Sequence, residues 1–249
     1  MDLGLSGRTV IVTGGTGGIG RRLVRHFASE GARVVLTYHR AQYDAELLAK
    51  QIGDNARAVR YDMSEPTAAP ALVDLTLDWT GRIDVLVNNA GHWGSMAVSG
   101  ESEFEAVEDW QSLFRFNAEG AIRLSRAAAP VMRQHKWGRL VHISSTLAVG
   151  GAAGAEYYAA AKAALHGFSR SAAFSLGKDG DILSNVVMLA LTRTATNAAI
   201  TDAAGDFYSS LAPIGRLLDA DEVAAPIVFL SSAANTGITG QVLAVSGGV

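Results

Sequence analysis

Short apolar, often β-branched runs recur along the chain at Thr9–Val12, Arg33–Tyr38, residues 58–61, 83–87, 139–143 and 185–189, and Val242–Val245. They are apolar at successive rather than alternate positions, as strands covered on both faces are. Helix-length amphipathic stretches fill the intervals. Strand and helix in alternation predict an α/β fold: one doubly wound domain over residues 1–249, its seven-stranded parallel sheet flanked by helices on both faces. No Pro/Ser-rich linker, repeat or low-complexity tract interrupts the pattern. Residues 150–164 are rich in Gly and Ala but lead into a helical pattern, so they read as a close-packed loop and helix.

Composition narrows the function classes. The chain has 249 residues, 49% of them hydrophobic, and a formal charge of −3, which suits a compact core without a basic footprint for nucleic acid. It contains no cysteine, so disulfides and thiolate metal sites are not available to it. No apolar run approaches the ~20 residues of a membrane span, and residues 1–8 lack a basic segment followed by an apolar one. The expectation is a cytoplasmic protein with no membrane partner.

The first strand runs into Thr13-Gly14-Gly15-Thr16-Gly17-Gly18-Ile19-Gly20, and a helical pattern follows. Glycines there let a backbone approach a pyrophosphate, and a helix N-terminus offers it free N–H groups and partial positive charge. Two registers fit: Gly15, Gly17 and Gly20, or Gly14, Gly18 and Gly20. About 20 residues on, an acidic side chain would hold a ribose 2′-hydroxyl. The second strand ends instead in Tyr38-His39-Arg40, so Arg40 with His39 can face a 2′-phosphate, and NADP is favoured over NAD. Asp62, after the third strand, can accept a bond from adenine or cap the next turn.

Tyr158 and Lys162 lie four residues apart and share one helix face. A cation beside a phenol favours the phenolate and brings tyrosine, which titrates near ~10 alone, toward neutral-range proton transfer. That pair can protonate an alkoxide. His92 and His142 stand without neighbours at ligand spacing, so no metal site is expected.

Several separated motifs together resemble the short-chain dehydrogenase/reductase family over essentially the whole chain. Thr13 to Gly20 is similar to its TGxxxGxG turn, which selects the Gly14, Gly18, Gly20 register, and Asn88-Asn89-Ala90-Gly91 matches its NNAG motif. Ser145 lies thirteen residues before Tyr158, the family's spacing for its catalytic serine. The resemblance implies a catalytic set of Asn117, Ser145, Tyr158 and Lys162. Ser145 would bind the substrate oxygen, Tyr158 donate its proton, Lys162 lower the tyrosine pKa, and Asn117 fix a water linking Lys162 to solvent. Cofactor contacts are implied for Gly14, Thr16, Gly18, Ile19, Gly20, His39, Arg40, Asp62, Met63, Asn89, Ala90, Gly91, Tyr158, Lys162 and Thr194. A homotetramer or homodimer is implied as well.

Two departures stand out. Leu189-Ala190 replaces the family's usual Pro-Gly, implying a different backbone path beside the nicotinamide, although Thr194 keeps its place. Ser246 stands where aspartate is common, and no functional reading attaches to it. Three segments are expected to reach the substrate: His92-Trp93-Gly94-Ser95-Met96, residues 147–156, and a lid over residues 194–210 carrying Phe207 and Tyr208. The resulting expectation is an NADP-dependent reductase of a ketone on a fatty-acid-like or polyketide-like substrate, free or carrier-bound, similar to the 3-oxoacyl-carrier-protein reductase branch. The alternatives are an alcohol or sugar dehydrogenase run oxidatively, and a nucleotide-binding regulator without turnover.

Overall fold

The computed structural model describes residues 1–93 and 110–249. Seven parallel strands form the sheet: β1 (Thr9–Val12), β2 (Arg33–Tyr38), β3 (Ala56–Arg60), β4 (Val85–Asn88), β5 (Trp137–Ser145), β6 (Asp181–Leu189) and, last in the chain, β9 (Val242–Val245). Their order is β3-β2-β1-β4-β5-β6-β9, which reverses direction between β1 and β4. Short strands β7 (Thr192–Arg193) and β8 (Leu218–Asp219) pair apart from this sheet. Crevices for nucleotides open at such reversals, beyond the carboxyl ends of the strands.

Alternation of side chains along a strand divides the core in two. Val10 and Val12 of β1 face a cluster with Leu23, Phe27, Val223 and Ile227, whereas Ile11 faces the opposite side with Leu72, Leu124 and Met132. Helix α1 (Gly18–Ser29) buries Leu23, Val24 and Phe27, one turn apart, on the first side. Each such side chain contributes about 1.5–3 kcal/mol by leaving water. The other helices are α2 (Gln42–Ile52), α3 (Ala68–Thr80), α4 (Trp110–Phe114), α5 (Gly120–Gln134), α6 (Leu147–Gly150), α7 (Glu156–Leu176), α8 (Ala198–Leu211) and α9 (Ala220–Leu230). A π-helical turn, Arg115–Glu119, joins α4 to α5. Asp219 and Glu222 close a reciprocal capping box at the start of α9.

Strands β1, β2 and β9 match the apolar runs end for end, but β5 and β6 begin earlier than hydrophobicity indicates. Their opening turns carry polar residues that are nevertheless buried, because each finds a partner. Arg139 bonds to carbonyls around it and to Asp181, Ser184 pairs with Ser169 of α7 at 2.9 Å, and Asn185 ties down Ile238 and Gln241. Strand β3 lies two residues earlier at its start than expected, at the sheet edge where a one-sided pattern blurs the boundary.

Candidate active site

A cleft of about 770 Å³ runs across the carboxyl ends of the strands, from the glycine turn to Tyr158. That volume lies within the range of small-molecule and cofactor sites. At one end Gly14 adopts φ +64°, and a Cβ on Gly20 would meet the Gly14 carbonyl oxygen at 2.1 Å, so both positions require glycine. This is the register built on Gly14, Gly18 and Gly20. Thr13 braces the turn: its hydroxyl accepts from the N–H groups of Asn89 and Ala90, each at 3.0 Å. Asn89 Nδ2 donates to the Thr13 carbonyl at 2.9 Å. The NNAG segment therefore holds the cradle's shape, a role for Thr13 that its place in the motif alone did not disclose.

The cradle fits a dinucleotide. Gly18, Ile19 and Gly20 line the cleft at the start of α1, where the first N–H groups of a helix lack acceptors within it and suit a pyrophosphate. Thr16, Met63 and Gly91 also line it. Arg40 is exposed on the cleft and, among the described residues, pairs with no carboxylate. His39 differs: its Nε2 lies 3.1 Å from the Asp62 carboxylate. Asp62 also accepts from the Ser64 hydroxyl at 2.6 Å and its N–H at 3.0 Å. Those bonds to Ser64, with His39 and Arg60 behind them, hold the Asp62 carboxyl below the usual carboxylate range. Asp62 thus caps its own turn, with His39 beside it, and still lines the cleft.

At the other end, Ser145 closes β5, and Tyr158 and Lys162 project from α7. Tyr158 is 5% exposed and Lys162 3%. Burial pushes the phenol well above its ordinary range, with the hydrogen bond to Ser145 pulling the other way. Lys162 is anchored on the strand beside the phenol. Lys162 Nζ donates to the Ile143 carbonyl at 3.0 Å and stands 5.7 Å from the phenol ring centroid. Burial lowers its own pKa to about 8, which still leaves it mostly cationic at pH 7.

Asn117 sits in the π-helical turn, 1% exposed. It receives the His92 N–H at 3.0 Å and donates to the His92 carbonyl at 2.7 Å and to Leu113 at 3.0 Å. A Cβ on Gly91 would meet Asn117 Oδ1 at 3.1 Å and Lys162 Nζ at 3.2 Å, so Gly91 lets the two approach one another. Clamping of His92 by Asn117 is a role the sequence reading did not find. An asparagine on a helix carries no local mark of a backbone partner 25 residues away.

The substrate end differs from expectation. His92 and Trp93 line the cleft, and Gly94, Ser95 and Met96 lie outside the described residues. No residue of 147–156 is among the lining. Of residues 194–210, Thr194, Thr196, Asn197 and Ile200 face the cleft, whereas Phe207 and Tyr208 pack edge-on against each other, 63% and 37% exposed. Phe207 lies two turns, about 10 Å, beyond Ile200 along α8, so distance along the helix and not a change of face keeps it out of the lining. Asn197, unremarked in the sequence, organises the approach: its Oδ1 accepts from the Thr194 N–H and hydroxyl, and its Nδ2 donates to Thr192. Thr194 rests on Gly18, where a Cβ would lie 2.3 Å from it. Ala190 needs no glycine, since Lys136 is the only non-glycine with positive φ among the described residues.

A family profile described as Enoyl-(Acyl carrier protein) reductase matches residues 14–249. The 3-oxoacyl-(acyl-carrier-protein) reductase FabG of Vibrio cholerae is 31% identical over 247 residues, covering 99% of each chain. A solved structure described as a short chain dehydrogenase/reductase family protein is 37% identical, with TM-score 0.86 over 100% of this chain and 98% of that one.

The chain belongs to the short-chain dehydrogenase/reductase family.

Another member, the hydroxy(phenyl)methylsuccinyl-CoA dehydrogenase subunit BbsD of Thauera aromatica, is 33% identical over 252 residues, covering 99% of this chain and 98% of that one. As a family member this protein is a short-chain oxidoreductase acting on carbonyl and hydroxyl groups with a nicotinamide cofactor. Among the described residues no group of three or more His, Cys, Asp or Glu is placed to hold a metal, and no helix is long and apolar enough to cross a membrane.

Proposed function

We propose that the protein reduces a ketone to a secondary alcohol with NADPH, on a 3-oxoacyl- or polyketide-type substrate, free or carrier-bound. The observation that carries this is the convergence of Ser145, Tyr158 and Lys162 in one cleft with the glycine cradle. When bound, NADPH supplies the hydride. Ser145 Oγ orients the substrate oxygen, and Tyr158 transfers its phenolic proton to that oxygen as negative charge develops there. The buried phenol is protonated, so its proton is in place for transfer. Lys162, anchored on Ile143, replenishes the proton and binds ribose hydroxyls, with Asn117 beside it. Arg40 takes the 2′-phosphate.

Similarity to FabG supports the 3-oxoacyl class, and the named dehydrogenase BbsD supports oxidation as a second reading. A single domain, cytoplasmic placement and a homotetramer or homodimer complete the proposal, with exposed Phe174 of α7 supporting a covered face. The test is NADPH consumption against β-ketoacyl thioesters, aromatic polyketone models and simple sugars. Turnover confined to ketones is expected. NADPH binding without oxidation by any ketone, or turnover only of alcohols with NADP+, contradicts the reading.

A further inference from the structure

We infer that Trp93 is the specificity-determining wall of the substrate compartment and selects ketones that carry a planar aromatic or conjugated group beside the reacting carbonyl. The inference rests on the ketone-reductase reading and deepens it. The Trp93 and Tyr158 rings stack with centroids 4.8 Å apart and planes 16° from parallel. One indole face thus covers the proton donor, and no substrate group enters between them. Trp93 nevertheless lines the cleft with 51% of its surface exposed.

A tryptophan serving packing alone is used differently in this fold. Trp137 holds Arg8 and Arg139 over its ring, at 3.9 and 4.3 Å. Trp93 has no such second partner among the described residues, and its open area faces the cavity that holds the reacting groups. The position is built rather than incidental, because Asn117 grips both the N–H and the carbonyl of the preceding residue, His92.

Chemistry at this end of the cleft points to an uncharged, flat group. Phe116 lies edge-on to His92 at this end, with centroids 5.5 Å apart, and Leu191 and Ile200 add apolar lining to the cleft, while the charged lining residues Arg40 and Asp62 stand at the nucleotide end and Lys162 is buried. An exposed indole face gains most from a ring laid against it, through apolar burial together with the offset stacking that aromatic pairs prefer. An alkyl chain gains only the burial. Trp93 therefore separates ketones by the shape of the group next to the carbonyl, and by covering the phenol it also keeps water from the proton to be donated.

The test compares ethyl benzoylacetate with ethyl acetoacetate as ketone substrates for the wild type, Trp93→Ala and Trp93→Phe, with NADPH. In Trp93→Ala the aryl-to-alkyl ratio of kcat/KM falls about tenfold, mainly through KM for the aryl ester, and Trp93→Phe recovers most of it. Equal losses for both esters, or an unchanged ratio, would overturn the inference by showing a structural role alone. Calorimetric titration of ethyl benzoylacetate in excess NADP+ separates this from failure of the reductase reading. If the wild type turns over neither ester, that reading fails, and the titration decides Trp93. A Kd about tenfold weaker in Trp93→Ala supports the stacking wall, and an equal Kd overturns it.

Discussion

Two buried cations sit at opposite edges of the sheet, and they are treated very differently. Arg139, at the amino-terminal edge, is 0% exposed, and all five of its donor positions are used. They reach the Ser232, Gly138, Asp181 and Asn235 carbonyls and the Asp181 carboxylate at 2.8–3.1 Å. Nearby Asp84, also 0% exposed, accepts from Arg8, Arg82 and the Thr9 N–H. Lys162, at the carboxyl-terminal edge, is almost as deeply buried yet among the described residues donates to one carbonyl, that of Ile143. A buried charge stabilises a fold only when its hydrogen-bonding capacity is met. The amino-terminal end meets it with protein groups and is structural, whereas Lys162 at the carboxyl-terminal end lines the cleft, where bound molecules can meet it.

The largest effect that could break this contrast is on stability at the amino-terminal edge. Arg139→Met leaves four carbonyls and a carboxylate without their donor and should cost about 3–5 kcal/mol in chemical denaturation. A loss below about 1 kcal/mol would erase the distinction between the edges.

Between the edges lies His142 on β5, whose Nδ1 lies 3.1 Å from Asn88 Nδ2 and whose Nε2 has no partner among the described residues. Burial first, and the Lys162 charge second, lower its pKa to about 4. Because the folded pKa lies below the unfolded ~6.5, the unfolded state binds the proton more readily. The neutral histidine's contribution is whole above pH ~6.5 and is lost as pH falls toward 4, by on the order of 3 kcal/mol. Urea unfolding at pH 7 and pH 5 reads this loss. His142→Gln should abolish that share of the slope whatever its absolute stability, and an unchanged slope would place the acid sensitivity elsewhere.

Tyr158→Phe sharpens the functional side. Turnover of a ketone substrate should fall by at least ~10²-fold, the scale of losing a general acid, with the thermal midpoint nearly unchanged. Near-normal rates would remove Tyr158 as proton donor. A smaller effect is expected at the nucleotide end, where Arg40→Ala should weaken NADPH by about tenfold and NADH by less than about twofold, measured by fluorescence titration. Equal weakening would take Arg40 off the 2′-phosphate.

The same division explains what could be read from the chain. Strands β1 and β2, a glycine turn after β1 and the spacing of Tyr158 and Lys162 were legible as local signals, whereas the Gly14, Gly18, Gly20 register and the place of Ser145 were implied only by the family resemblance. The first residues of β5 and β6, 137–138 and 181–184, were missed because Gly138, Asp181 and Ser184 break the apolar runs, and Ser184 is buried against a partner on α7 that is distant in sequence. Local spacing put Tyr158 and Lys162 on one helix face but carried no sign of how deeply both are buried. The loop aromatics show the same limit. Trp93 and Phe207 are alike as letters, yet one stacks on the proton donor and the other packs on Tyr208 away from the cleft.

The most direct test of the contrast is the unfolding free energy of Lys162→Met, measured by urea denaturation at pH 7 beside the wild type. Methionine keeps the packing and discards a poorly paired buried charge, so stability should be unchanged or raised by about 1 kcal/mol while ketone reduction is lost. In the wild type alone, stability should also rise with pH between 8 and ~10.5, because the folded amine gives up its proton more readily than the unfolded one. A destabilisation of about 3 kcal/mol or more would contradict the account, making Lys162 a structural cation like Arg139.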